Sequence, residues 1–331
     1  MAKRLGHPTF VTAVARHAWV EDGKARKGPA VASAKAACEQ IKQKLDGRKP
    51  QLYYVTENMW APQEVNEVLK AELADAPFAG VANNWQDYSP NDRDSFAEME
   101  AKMAGISITA ILGDVEVQAE TVEFGWDPID WAWGGGPVYG HYLKQRPDHM
   151  TRAAALVQKF KFGKGDGEAN ILIVSGAMHT LRHEYVIEGI DTVLPEGVLV
   201  AGGATADWGS VYYKGKVHEF TLLGVRITGR YRVIATGCKA HEDAPDRLKE
   251  LLEEVNGKLG GAAPTAMVFF SCAGGWRHSF GPQGNLLKQY LPAGLGMIGQ
   301  ISGGEFGKLR DTTGNVGDKC LGVMLVMTPG P

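Results

Sequence analysis

The sequence lacks the features that define several classes of protein. No apolar run in its 331 residues approaches the roughly 18 residues of a membrane-spanning helix. The N-terminal segment has no apolar stretch of the kind found in secretory signal peptides. The four cysteines form no C-x-x-C pair, which argues against a disulfide framework or a structural zinc site. We therefore expect a cytoplasmic protein with neither a structural disulfide nor a structural metal.

Charge and short motifs remove further classes of function. The net charge is −3, from 35 basic and 38 acidic residues, and no basic block stands out, so nucleic acid is not an expected partner. The sequence contains no G-x-x-x-x-G-K-[ST], no strand-linked G-x-G-x-x-G and no G-x-S-x-G. ATP hydrolysis, ordinary dinucleotide binding and lipase-type hydrolysis therefore lose support.

The chain contains three similar stretches, which begin at Pro50, Ala169 and Thr265. In each stretch an apolar run, a loop and a helical segment lead to a second apolar run that contains a glycine. The spacing from the first run to that glycine is 28, 31 and 32 residues (Leu52 to Gly80, Ile171 to Gly202, Met267 to Gly299). Such regular spacing is typical of diverged copies of one structural unit.

Each copy is preceded by a further predicted strand and helix. The sequence thus predicts an α/β protein with three diverged repeats of a strand-helix-strand-helix-strand-strand unit, in mixed sheets covered by helices. We place the repeats at 8–114, 115–229 and 230–328. The three glycines should then lie at equivalent strand ends, and equivalent loops should line one or more clefts.

One segment, 126–147, interrupts the pattern and is rich in aromatic residues and glycine. Its candidate ligand contacts are Trp126, Asp127, Trp131 and Trp133. One interpretation is a loop that packs over a sheet edge. The other is an aromatic lid on a ligand pocket, because aromatic rings provide contact area and orientation together.

Polar residues follow the predicted strands of the first two repeats. His17, Asn58, His179 and Asp207 each come after an apolar run. His179 and His183 are four residues apart, so on a helix they would share a face that can bind a metal. The H-E-x-x-H order of metalloproteases is absent, however, and two surface histidines are the simpler interpretation.

The third repeat carries the densest group of candidates. Cys272 ends an apolar run and is followed by glycines, whose backbone N–H groups can bind an anion. Arg277 can hold a carboxylate or phosphate, and His278 is a candidate base. Glu305 follows Ser302 and two glycines and is a candidate acceptor or base. The alternatives are a buried structural cysteine, a surface ion pair and a tight strand connection.

These residues resemble the C-terminal part of the FIST family. The family's strand, glycine turn and Ser-x-Gly-Glu pattern is matched by Cys272, Gly274, Ser302, Gly304 and Glu305. The arginine that directly follows the glycine in the family is displaced here to Arg277. Upstream, the Gly-Gly turn at 202–203 resembles the N-terminal part. The resemblance starts near residue 51 and divides the chain into an N-like region, 1–229, and a C-like region, 230–331.

The resemblance implies a sensory module that binds a small polar or anionic molecule, such as an amino or carboxylic acid. The lack of a long apolar run predicts no membrane contact, and no cofactor is predicted, although some relatives in the family bind heme. A signalling partner encoded separately and a homo-oligomer are both compatible with the resemblance. Two alternatives stay open. One is an enzyme acting on a small carbonyl or carboxylate compound through His17, His179, His278 and Glu305. The other is a heme-binding gas sensor.

Overall fold

A computed structural model describes residues 6–82, 103–124, 137–163, 165, 167–177, 183–205, 210–238, 244–272, 280–302, 305–308 and 322–330. Within these ranges only the backbone is described at 137–147, 177, 183–184, 204–205, 238, 244–245, 272, 280–283, 300–302 and 306. No helix in the described ranges is both long and apolar enough to cross a bilayer.

The elements alternate between strand and helix along the chain. The first third contains β1 (Thr9–Ala18), α1 (Lys27–Leu45), β2 (Leu52–Glu57), α2 (Pro62–Glu72), β3 (Phe78–Ala82) and β4 (Met103–Leu112). The second contains β5 (Glu116–Glu123), α3 (Pro137–Gln158), β6 (Ala169–Ala177), α4 (His183–Asp191), β7 (Leu199–Thr205), β8 (Ser210–Tyr213), β9 (Lys216–Glu219) and β10 (Thr221–Gly229). The third contains β11 (Tyr231–Cys238), α5 (Ala244–Leu259), β12 (Ala266–Cys272), α6 (Phe280–Tyr290), β13 (Met297–Ser302), β14 (Glu305–Lys308) and β15 (Gly322–Pro329).

The same four-strand pattern occurs in all three sheets. The neighbours run β1-β4-β2-β3, β5-β10-β6-β7 and β11-β15-β12-β13. In each set the first two pairings are antiparallel and the last is parallel. The structure therefore confirms the α/β class and the mixed sheets covered by helices. It also adds strands to the predicted unit, namely β8 and β9 in the second third and β14 in the last.

The three sheets share one apolar core. A single cluster of buried residues includes Phe10 and Tyr54 from the first sheet, Ile173 from the second, and Val268 and Phe270 from the third. The other face of each sheet has its own cluster with the helices of its repeat. Side chains alternate between the faces of a strand, so each strand contributes to both layers. This explains why the central strands are apolar along almost their whole length.

The extra strands join neighbouring repeats. β8 pairs with β3, so the second third of the chain extends the first sheet. β14 pairs with β7, so the last third extends the second sheet. The first and last thirds meet differently. The Thr12 hydroxyl accepts a hydrogen bond from Met297 N at 2.9 Å, and the Thr109 hydroxyl donates to Met297 O at 2.7 Å.

Two details differ from the sequence-based predictions. Gly80, Gly202 and Gly299 do lie in the third strand of each repeat, but inside it and not at its end. Helix α3 begins at Pro137 and includes Pro147, so residues 137–147 are helical and are not part of a loop. Proline suits the first turn of a helix, where Pro137 lies, but is uncommon in the interior, where Pro147 lies.

Replacement of Gly80 by alanine should destabilise the protein by about 1–3 kcal/mol, the usual cost of overpacking. A Cβ atom there would lie 1.9 Å from the backbone oxygen of Val55, and two paired strands cannot easily separate. Gly28→Ala is the matched control, because a Cβ at Gly28 meets nothing within 4 Å. Urea denaturation of both variants measures the difference. Equal stability of the two would contradict the close approach of β3 to β2.

The change Thr12→Val should also cost about 1–3 kcal/mol, because it leaves the buried Met297 N–H without its acceptor while keeping the side-chain shape. In Thr121→Val, the control, the hydroxyl lost is on a half-buried side chain that makes no hydrogen bond to the described residues. A Thr12→Val protein as stable as its control would show that this contact between the first and last repeats contributes little.

Candidate functional site

The carboxyl ends of the parallel strands lie at one end of the molecule. Glu305 comes three residues after Ser302, the end of β13, and pairs with Gly203 near the end of β7. Ser210 comes five residues after the end of β7 and pairs with Ala82, the last residue of β3. These short connections bring the ends of β3, β7 and β13 together. Ligand sites in α/β sheets are usually found at such ends.

The inner face of the sheets becomes polar at this end. Tyr54, a member of the shared core, has its hydroxyl 2.9 Å from that of Ser175 on the second sheet. Thr56 lies two residues further on and therefore on the same face, beside Ser107 of β4. All four side chains are buried. Burial raises the pKa of Tyr54 to about 12, so its hydroxyl stays protonated and can donate at neutral pH.

A positive charge lies at the same end. Arg16 is six residues after Phe10 on β1, which places it on the inner face. It is half-buried and pairs with Gly105 of β4. A Cβ at Gly105 would lie 2.9 Å from Arg16 Cγ, so the glycine provides the space that the arginine stem occupies.

A carboxyl group lies there too. Glu305 is completely buried at the start of β14. Gly307, two residues later on the same face, lies against Val323 of the shared core, so Glu305 is on the inner face as well. A buried carboxylate requires charge or hydrogen-bond partners. The inner polar end therefore combines hydroxyls, a guanidinium and a carboxyl group.

A second group of polar side chains lies on the helix-facing side of β2. Glu57 is fully buried, and its carboxyl group accepts hydrogen bonds from the Tyr212 hydroxyl at 3.2 Å and from the backbone N–H of Met59. Burial, followed by the charge of Glu57, holds the pKa of Tyr212 well above its usual value. The phenol therefore remains a donor to this carboxyl group throughout the physiological range.

Two predicted residues, Asn58 and His17, are tied to the ends of β4 and β1. The Asn58 side chain accepts from Gly105 N at 2.7 Å and donates to Met103 O at 3.2 Å. His17 pairs with Ala104, the residue beside Gly105, and its Nδ1 lies 2.8 Å from the Ser33 hydroxyl of α1. Asn58 thus shapes the strand edge, whereas His17 faces the helix layer.

The loop after β2 is conformationally strained. Trp60 has a φ of +55°, a region that a bulky side chain rarely adopts. Its indole N–H is buried and has no hydrogen-bond partner among the described residues. Such strain is often found at functional sites. A strained backbone segment therefore lies directly after Glu57 and Asn58.

The remaining predicted residues are only partly described. Cys272 and Ser302 are paired in register at the ends of β12 and β13, so these two strand ends do meet. The others lie outside the described residues: His179, His278, Trp126, Asp127, Trp131, Trp133, Asp207, Gly274, Arg277 and Gly304. Helix α4 begins at His183, so a shared helix face with His179 remains a prediction. In the described part of the chain, no group of three metal-binding side chains occurs.

Sequence reasoning missed Arg16 and Tyr54. Arg16 could have been found from the sequence. It lies on the same face of β1 as Phe10, near the end of a mostly apolar strand, where a charged residue stands out. The hydrogen bond between Tyr54 and Ser175 leaves no signal in the sequence. Its partners are 121 residues apart, and only the packing of two sheets brings them together.

Comparison with known proteins identifies no family. No protein-family model matches the chain, and no curated protein matches it. Among solved structures, the cyanuric acid hydrolase of A. caulinodans is similar with a TM-score of 0.42 and 8% identity, over 97% of this chain and 99% of that one. PurL of T. maritima, solved in complex with ATP, is similar with a TM-score of 0.28 and 10% identity, over 98% and 72%.

Protonation of His17 should oppose folding. Burial lowers its pKa from the ordinary 6.5, so below that pH the unfolded chain binds the proton more readily than the folded protein does. The free energy of unfolding should therefore decrease as the pH is lowered from about 7.5 to about 5.5. The decrease should be smaller in His17→Gln. Urea midpoints at both pH values test this. An NMR titration of His17 that gave a pKa of 6.5 or above would contradict it.

Proposed function

We propose that this protein binds a small polar molecule with an anionic group, at the inner polar end of the three sheets. The observation that carries the proposal is the presence of a half-buried arginine and a fully buried glutamate on the inner face, where the shared apolar core ends. Charged side chains that converge where parallel strands end are typical of small-ligand sites in α/β proteins. A guanidinium and a carboxyl group placed there can contact the charged groups of such a ligand.

The chemistry of these residues favours an amino acid or another small carboxylic acid. Arg16 offers a planar set of donors that matches a carboxylate. Glu305 can accept from a ligand ammonium or hydroxyl group. The hydroxyls of Tyr54 and Ser175 can donate or accept at the same end of the sheets. The sensory role implied by the FIST resemblance and the cytoplasmic location expected from the cysteine pattern form part of the same proposal.

An enzyme is the alternative, and Glu305 favours it. A fully buried carboxyl group beside a ligand can serve as an acid or base once its pKa suits the reaction. Glu305→Gln separates the two functions. For an enzyme, the variant should bind ligand but lose turnover. For a binding protein, the wild type should turn over none of the compounds that it binds.

The test begins with a thermal-shift screen of amino acids and short carboxylic acids, because a ligand stabilises the folded state that binds it. Compounds that stabilise the wild type are then titrated by calorimetry into Arg16→Gln. We expect the affinity to fall by about 1.5–3 kcal/mol, the contribution of a hydrogen bond to a charged group.

Arg232→Gln is the matched control. Arg232 lies on β11 and donates to Lys258 O on the helix-facing side, away from the inner polar end. Its loss should leave ligand affinity unchanged. Equal affinity in wild type and Arg16→Gln, or stabilisation by none of the compounds, would falsify the assignment of this site.

A further inference from the structure

A separate cleft lies at the opposite end of the first sheet. It has a volume of about 650 Å³ and lies at the first residues of β2 and β3, Leu52 and Phe78. The end of α2, the turn between β8 and β9, and the first half of β5 complete its walls. Its size falls within the usual range for small-molecule sites. It shares none of its lining residues with the inner polar end.

Most of the lining is apolar. Leu52, Leu73 and Phe78 form its buried part, and Val117 and Ala119 of β5 are half-buried. The same two β5 residues pack against the shared core, so the cleft leads from solvent towards that core. An apolar chain placed here would lose contact with water along most of its length.

The charged residues that line the cleft are both lysines, Lys70 and Lys214. Lys214 and Gly215 have φ values of +50° and +71°, as in the tight turn of a β-hairpin. Asn66 of α2 donates to Gly215 O at 2.9 Å, which fixes this turn against the helix. The Lys214 ammonium lies 4.8 Å from the centre of the Tyr213 ring. The mouth of the cleft is therefore preformed and carries two lysine side chains, with the carboxyl group of Glu120 nearby, 3.0 Å from the Tyr213 hydroxyl.

Lys70 is available to a ligand as well. It pairs with Glu67 at 3.1 Å, but both side chains are about half exposed or more. Exposed ion pairs contribute little to stability, so the anionic group of a ligand can replace Glu67 as the partner of Lys70.

We propose that this cleft binds a fatty acid of medium chain length, with its acyl chain along the apolar lining and its carboxylate between Lys70 and Lys214. The occupant follows from charge complementarity, since an apolar chain with one anionic end matches an apolar cleft with a cationic mouth. The inference is independent of the function proposed above, because the two sites lie at opposite ends of the sheets.

Calorimetry with octanoate, decanoate and dodecanoate, each below its micelle concentration, tests the acyl part. Affinity should rise about fourfold for each methylene group that is buried. Ala119→Phe should abolish binding by filling the cleft. The matched control is Ala71→Phe, on an exposed position of α2 outside the lining. Affinity that is independent of chain length, or binding that survives Ala119→Phe, would overturn the proposal.

The double variant Lys70→Gln/Lys214→Asn tests the carboxylate part. Asparagine tolerates the positive φ at position 214, so the turn should be retained. Octanoate should bind about tenfold more weakly to this variant, whereas octanol should bind equally to both proteins. An equal effect on octanoate and octanol, or no effect on octanoate, would overturn the role of the lysines. This variant also serves if Ala119→Phe proves unfolded by circular dichroism.

Discussion

The whole molecule depends on one shared apolar core, because none of its three sheets can bury its inner face alone. Residues from all three sheets meet there, while the opposite face of each sheet is covered by helices. The burial of apolar area from three directions is the main favourable term of such a fold. It also restricts where polar chemistry can occur, since a polar group inside this core needs a partner.

The two ends of this core differ in polarity. At the carboxyl ends of the parallel strands, Tyr54, Ser175, Arg16 and Glu305 bring hydroxyls and charges onto the inner face. At the amino ends of the first sheet, the lining is mostly apolar and two lysines stand at the mouth. The strand direction thus separates a polar region from an apolar one within one set of sheets.

Much of the fold could be predicted from the sequence, because apolar runs, helical spacing and recurring glycines are local patterns. The strands that complete a neighbouring sheet could not, since β8 and β14 are short and their partners lie far away along the chain. For the candidate site, Asn58, His17 and Glu305 were predicted from their positions after strands. Their environments were not, because Asn58 binds backbone groups of β4, and His17 contacts a helix.

The pairing of β8 with β3 and of β14 with β7 affects how the nascent chain folds during synthesis. During synthesis, the third strand of one repeat keeps an uncovered hydrogen-bonding edge until the next repeat has left the ribosome. Exposed edges of this kind invite pairing with other chains. A cut after residue 229 would recreate that state permanently, with β7 uncovered and the core open on one side. The parts of the chain before and after residue 229 therefore share a hydrogen-bonded strand pair and one apolar core.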